Sequence, residues 1–326
     1  MRRLVTIGLV ALTVTAASAQ QPRTFIPERF YNTFSGAHPP ALRIKPGERI
    51  VTKTIDAGGT DWDGRQVAQG PNPQTGPFFV EGAEPGDMLA VTFDKIEINR
   101  TTGYSSGALA PYTVTPGTLL ARTERQAPRS NWILDKAKGV ARLDNDDLHG
   151  LELRLRPMLG CVGTAPARKE AIATSTPGAF GGNMDYAGLN EGASVMLPVN
   201  EPGALLFIGD GHALQGEGEV VGTGIETSMD VEFTVRVVKK SPIQWPRLEN
   251  GTHVMVLGSE RSLIEALQQA TSEMHRWLMQ DYGLTERGAS ILMGQALEYE
   301  VANVVDPRFT MVAKVRKATL AGLRKP

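Results

Sequence analysis

The sequence predicts a mainly β protein, a sheet sandwich or barrel of short strands, with an α+β C-terminal part. Three observations carry this. Thirty-five glycines and 21 prolines in 326 residues favour turns and short strands over long helices. Pro-Gly pairs introduce apolar runs in "KPGERIVTKTI", "EPGDMLAVTFDKIEI" and "EPGALLFIGDG". From Ser259 onward the apolar period changes from two residues to three and four.

The first element is a targeting segment. "MRRLVTIGLVALTVTAASAQ" has Arg2 and Arg3, an apolar run from Leu4 to Ala17, and the small-residue close Ala17-Ser18-Ala19. That is the order of a secretory signal peptide, and the run is too short for a membrane anchor. The mature chain is expected to begin near Gln20, in the periplasm or outside the cell, with no membrane association after cleavage. Its single cysteine, Cys161, has no partner for an internal disulfide, so the fold must be held by packing. Lys plus Arg (34) nearly balances Asp plus Glu (35), which argues against a nucleic-acid surface.

Each Pro-Gly pair suits the centre of a type II turn, because proline presets φ and glycine accepts φ > 0. The following strands are expected within 46–55, 85–98 and 202–208. In "MDVEFTVRVVKK", 229–240, Val231, Phe233, Val235 and Val237 alternate with Glu232, Thr234 and Arg236, as on a strand with one wet face. A helix follows from about Ser262, with Leu263, Leu267, Ala270, Met274 and Trp277 at helical spacing, a Ser262/Glu265 capping box and Gly283 as its stop. Thr285 caps a second helix, about Glu286 to Val301, and "FTMVAKV" closes the chain as a strand. The organisation is therefore a signal peptide over 1–19, a β-rich sandwich over 20–240 and an α+β portion over 241–326.

The stretch "GGNMDYAGLNEGASVMLPVNEPGALLFIGDGHALQGEGE", 181–219, crowds Asp185, Asp210, His212, Glu217 and Glu219 among glycines. "GGNMDY", "LPVNEPGALLFIGDGHALQGEGEVVGTGIE", "FFVEGAEPGDMLAV", "PMLGCVGTAPA" and "NVVDP" resemble the acetamidase/formamidase family, from about Ile44 to Val315. The resemblance implies a jelly-roll-like β-sandwich with an α/β portion. It also implies hydrolysis of short linear amides to a carboxylate and ammonia. Two departures stand out. Family wording has a His before Gly-Gly-Asn-Met-Asp, where this chain has Phe180. It also has Ala and Asp where this chain has Leu214 and Glu217.

The block carries a chemistry of its own. Amide hydrolysis needs an activated nucleophile, a stabiliser for the oxyanion and a proton donor for the leaving nitrogen. Asp185, Asp210, His212 and Glu219 offer hard oxygens and one imidazole. That set suits a divalent cation, with Zn²⁺ favoured and Ca²⁺ the alternative. Asp210 and His212 share a face if the strand is extended, and so do Glu217 and Glu219. Glu219 is preferred as the ligand because the resemblance retains it. Glu226, in "GTGIET", is the candidate general base or a residue that orients a ligand, with Glu217 or Asp185 as the substitute base. Phe180 and Asn183 are expected in the substrate pocket. His38, set before two prolines, is expected there as an outside member. Glycines 209, 211, 216 and 218 would let backbone N–H groups approach an oxyanion.

Plain alternatives stand beside these readings. Acid–glycine alternation is often a turn with solvated carboxylates. "GYSSG", 103–107, matches a nucleophile elbow, but prolines follow instead of a helix. Cys161 lies in apolar "LGCVG", which keeps a thiol inert. "GDGHALQGEG" lacks the Gly-Lys-Ser/Thr ending of a phosphate loop. "GGTDWDG", 58–64, does not have EF-hand spacing and reads as a loop. His149, His253 and His275 read as turn, strand-edge and helix residues. The sequence thus predicts an exported, metal-dependent hydrolase of a small linear amide, with a homo-oligomer left open. The rival is a non-catalytic exported sandwich that binds a small ligand, and Phe180 is the feature that favours it.

Overall fold

The computed structural model of the chain describes residues 21–118, 122 and 127–323. The expected signal peptide lies outside these residues. We number the principal strands β1 (Arg49–Lys53), β2 (Gln74–Val80), β3 (Met88–Ile98), β4 (Thr102–Ser106), β5 (Met158–Gly163), β6 (Gly181–Asn183), β7 (Ser194–Pro198), β8 (Leu206–His212), β9 (Met229–Val238), β10 (Arg247–Glu249), β11 (His253–Glu260), β12 (Glu298–Asn303) and β13 (Phe309–Arg316). Helix α1 spans Leu263–Tyr282 and α2 spans Glu286–Ala296. The protein is mainly β with few helices. Among the described residues no helix is long and apolar enough to cross a membrane.

The three Pro-Gly pairs do turn the chain into strands. Gly47, Gly86 and Gly203 have φ of 84°, 92° and 78°, the left-handed backbone that a type II turn requires. A nine-stranded sheet runs Arg23–Thr24, β1, β9, β3, β7, β10, β11, β13, β12. A six-stranded sheet includes β6, β5, β8 and β2 in that order. In β9, Val231, Phe233 and Val235 are buried while Glu232, Thr234 and Arg236 are more open, as the alternation predicts. In β3, Leu89, Val91 and Phe93 join one core with Phe78 of β2 and Leu206 and Ile208 of β8. Phe78 and Phe233 meet edge to face, with centroids 5.2 Å apart. Burying such a ring contributes about 1.5–3 kcal/mol.

The other face of β3, with Met88 and Ala90, packs on Ala270, Met274, Trp277 and Leu278 of α1. One face of the nine-stranded sheet thus shares a core with the six-stranded sheet, and part of the other face is covered by the helices. Residues 247–249 pair with β7, as Val195 opposite Leu248. The boundary expected at residue 240 thus falls within one continuous sheet. The second helix is shorter than its sequence predicts. It ends at Ala296, and Glu298–Asn303 pairs antiparallel with β13. Val301 and Tyr299 fit helical spacing equally well, and the open edge of β13 decides for strand.

Candidate active site

Three backbone features bring the acids together. In the antiparallel pair of β8 and β5, Leu159 lies opposite Gly211 and Cys161 opposite Gly209, which puts Gly160 beside Asp210. A Cβ on Gly160 would lie 2.3 Å from Asp185 Oδ1, 2.6 Å from Asp210 Oδ2 and 3.1 Å from His212 Cε1. Only glycine leaves room for the cluster on that floor. Asp185 follows β6 and its N–H donates to the Gly160 carbonyl at 3.0 Å. Glu226 is held by the chain of β4: its N–H donates to Tyr104 O at 2.7 Å and the Tyr104 N–H donates back at 3.1 Å. Asp185, Asp210 and Glu219 have φ of 45°, 59° and 49°. Left-handed backbone in three non-glycine residues costs about 1–3 kcal/mol each, a strain that collects at functional sites.

The five side chains are almost fully enclosed. Asp185 and His212 are 0% exposed, Glu226 2%, Asp210 3% and Glu219 5%. His212 Nδ1 lies 2.8 Å from Gln215 Oε1. Its Nε2 lies 2.9 Å from Glu226 Oε1 and 3.4 Å from Asp210 Oδ1. These contacts lack the alignment of a hydrogen bond, so Nε2 is buried without a hydrogen-bond partner, as are Asp185 Oδ1 and Glu226 Oε2. Orphaned buried polar atoms cost about 1–3 kcal/mol each, more when charged. Two sets, Asp185/His212/Glu219 and Asp210/His212/Glu226, have ligand atoms within 4.8 Å of one another. The residues fit a divalent cation on three grounds: hard oxygens with one imidazole, unpartnered donors, and a floor kept clear by Gly160.

The protonation states follow from enclosure. Burial pushes Asp185 and Glu219 well above the usual carboxylate range, and neighbouring acids add to it. Burial likewise lifts Glu226 to about 7, against the opposing pull of His212. For His212 burial opposes charge, but Glu226 and Asp210 outweigh it and hold the imidazole pKa well above its ordinary value.

Beside this cluster opens a cleft of about 410 Å³. Asp210, Glu219 and Glu226 form its acidic wall, and Asn72, Tyr104, Asn183 and Asp306 complete it. Asn183 Nδ2 donates to Asp185 Oδ2 and to Asp306 Oδ2, each at 2.8 Å, while its Oδ1 accepts from Asn72 at 2.5 Å.

The geometry can now be set beside known proteins. Residues 18–172 and 167–315 match the Acetamidase/Formamidase family. The chain belongs to that family. It is 25% identical over 267 residues to the formamidase of Methylophilus methylotrophus, 65% of this chain and 64% of that protein. The crystal structure of an acetamidase from Yersinia enterocolitica superposes with a TM-score of 0.79 at 30% identity, covering 95% of this chain and 97% of that one. An acetamidase from Bacillus halodurans gives 0.79 at 28% identity, covering 92% and 99%. The chain spans about two thirds of the length of the curated relatives it matches.

In this acetamidase/formamidase family member the expected site residues separate into two groups. Asp185, Asp210, His212, Glu219 and Glu226 converge, and Asn183 lines the cleft. Phe180, His38 and Glu217 stand apart from it. Phe180 packs against Phe34 at 5.2 Å between centroids, in a small core with Cys161 and Phe207. His38 Nε2 meets Thr33 Oγ1 at 2.8 Å, and its ring stacks on Tyr31 at 4.1 Å. Glu217 is exposed and borders a second cavity of about 240 Å³. The shared face expected for Glu217 and Glu219 needs an extended strand. Strand β8 stops at His212, and Gly218 and Glu219 both turn through positive φ, so the two carboxylates diverge.

Some site residues escaped the sequence argument. Asp306, in "NVVDP", is half-buried at the cleft, and burial of its carboxyl raises it to about 7. Tyr104 and Asn72 reach the cleft from other loops and strands. Gly160 and Gln215 sat inside quoted motifs, but no local pattern marks a glycine as a floor or an amide as a support. "GYSSG" overlaps strand β4 and is followed by a three-residue 3-10 turn, Pro111–Thr113, rather than by an α-helix at its end. Cys161 is fully buried with Sγ 3.3 Å from the Thr174 carbonyl, and burial raises its pKa.

Proposed function

We propose that this protein hydrolyses small linear amides to a carboxylate and ammonia at the Asp185–Asp210–His212–Glu219–Glu226 cluster, with a divalent cation, Zn²⁺ in preference to Ca²⁺, as cofactor. The observation that carries this is that two sets of buried ligand atoms, Asp185/His212/Glu219 and Asp210/His212/Glu226, meet at His212, where Asp185 Oδ1, His212 Nε2 and Glu226 Oε2 have no hydrogen-bond partner. Acids enclosed this closely are held above the usual carboxylate range, and a bound divalent cation would stabilise their charged forms. The relatives named acetamidase and formamidase support amides as the substrate class.

Asp185, Asp210, His212 and Glu219 would hold the cation, the ligand set read from the block. Such a cation, when bound, supplies Lewis acidity and lets water ionise near neutral pH. Glu226 faces the cleft with a carboxyl raised to about 7, so at neutral pH it can take a proton from attacking water and return it to the leaving nitrogen. Tyr104 also faces the cleft. Burial and the Glu226 charge raise its phenol, which keeps it a donor for a developing oxyanion. Asn183 orients Asp185 through the 2.8 Å bond to Oδ2. We read the scaffold as a jelly-roll-like sandwich, since two sheets share one core. The Arg2–Ala19 segment assigns the protein to the periplasm or exterior, with Gln20 near the mature N-terminus.

The test is elemental analysis of the purified protein together with ammonia release from formamide, acetamide and propionamide. The proposal expects near-stoichiometric divalent metal and release from at least one amide, abolished by a chelator. Metal-loaded protein that binds an amide and releases no ammonia would instead establish the binding-module reading.

A further inference from the structure

Gln215 belongs to the glycine-rich block yet stands behind the cluster rather than in the cleft. It is 4% exposed and borders the second cavity. Its amide can face only one way. Nε2 donates to the Asp185 carbonyl at 2.6 Å and to the Ala302 carbonyl at 3.3 Å. Carbonyl oxygens only accept, so the nitrogen must lie on their side and Oε1 on the other. Oε1 lies 2.8 Å from His212 Nδ1. An amide oxygen also only accepts, so Nδ1 is the ring nitrogen that carries the proton in this contact.

We propose that Gln215 is a positioning residue of the cation site: it keeps a proton on His212 Nδ1, leaves Nε2 as a bare donor facing the acids, and tethers Asp185 from behind. The inference rests on the metal-site reading above. The competing tautomer is a real threat in this cluster. Glu226 Oε1 and Asp210 Oδ1 lie 2.9 and 3.4 Å from Nε2 and favour the neutral tautomer that carries its proton there. Gln215 Oε1, an acceptor at Nδ1, favours the opposite tautomer. Gly224 lets its backbone pack closely on the ring, since a Cβ there would lie 2.5 Å from His212 Cγ. One amide thus orients two proposed ligands, His212 through its ring and Asp185 through its backbone at φ 45°.

The experiment measures zinc affinity by competition with a chromophoric chelator at fixed neutral pH, with the imidazole nitrogen resonances of the zinc-loaded protein read by NMR. Gln215→Leu removes the acceptor at similar size and is expected to weaken zinc binding about 10–100-fold, the usual effect of losing a partner that orients a ligand. Gln215→Glu restores an acceptor at Nδ1 but removes the donor to the Asp185 carbonyl, so it is expected to recover only part of that loss. The wild type and the Glu variant should show the proton on Nδ1 and zinc on Nε2. Wild-type affinity in Gln215→Leu, or zinc on Nδ1 in the wild type, overturns the role of Gln215. A wild-type protein that holds no zinc overturns the metal-site reading itself, which is a separate result. Should Gln215→Leu fail to fold, Gln215→Asn keeps the amide, shortens its reach by one methylene, and is read in the same way.

Discussion

The cluster over Gly160 and the contact between α1 and the nine-stranded sheet both bury charge, and they do so in opposite ways. Glu273 of α1 is 0% exposed. Its Oε1 accepts from Arg247 Nε at 2.7 Å and pairs with Nη2 at 2.6 Å, and Arg276 binds its other oxygen. The partners are supplied by the protein, and the surrounding helix obeys local rules. Ser262 caps it by accepting from Glu265 N–H at 3.2 Å, and Gly283 closes it at φ 66°. At the cluster the same degree of burial comes with orphaned donors and left-handed backbone at three acids. The helix contact balances its charge with the protein's own arginines, whereas the cluster leaves donor atoms without hydrogen-bond partners, where we propose that a cation binds.

The contrast can be broken or sharpened by measurement. The largest effect is expected from His212→Ala, which should abolish both bound metal and ammonia release. Metal at full occupancy in that variant would remove His212 from the ligand set. Next, Glu226→Gln keeps shape and removes proton transfer, so the rate should fall about 10²–10⁴-fold with metal retained. Loss of metal instead would move Glu226 from base to ligand and favour the Asp210/His212/Glu226 set.

On the other side of the comparison, Glu273→Leu strands the buried Arg247 guanidinium and should cost about 3–5 kcal/mol of stability. Activity per folded molecule should stay near wild type. A matching loss of rate in folded protein would show that the two regions are coupled.

The last effect is a pH dependence confined to the cluster. Glu226 and Asp306 are raised from 4.5 and 3.8 to about 7 by burial, so the folded state favours their neutral forms. As pH rises from about 4 the unfolded chain releases these protons first, and the metal-free protein loses stability up to and beyond about 7. His212 acts in the same direction, since its pKa is raised above 6.5 and its contribution fades as pH rises through the folded value. Thermal midpoints of metal-free protein should therefore fall from pH about 5 to about 8, and zinc should flatten the slope. Identical slopes with and without zinc would separate the cluster from cation binding.

Much of this was legible in the sequence where one residue type answers one local need. The Pro-Gly turns, the alternation of β9, and the Ser262 and Gly283 caps were all read from spacing alone. The acid block announced itself because five titratable residues among glycines have few uses. Legibility ended where neighbours in space decide. Tyr299 and Val301 fit a helix until the edge of β13 pairs with them. Glu217 and Glu219 look equivalent until the turn after β8 separates them. Phe180 adjoins the Gly181-Gly182 of a motif yet packs away from the cleft.

The sequence alone carried the class of fold, the capped helices and the grouping of Asp185, Asp210, His212, Glu219 and Glu226, though it also put Glu217 among them. Backbone propensity and hydrophobic period act over a few residues, and those features need no more. Only the tertiary structure decided which oxygens meet at His212, that Asp306 and Tyr104 join them from distant segments, and that Gly160 must lack a side chain. Those are facts of approach between strands far apart in the chain, where a clash of about an ångström or an unpaired buried charge settles the outcome and no local pattern records it.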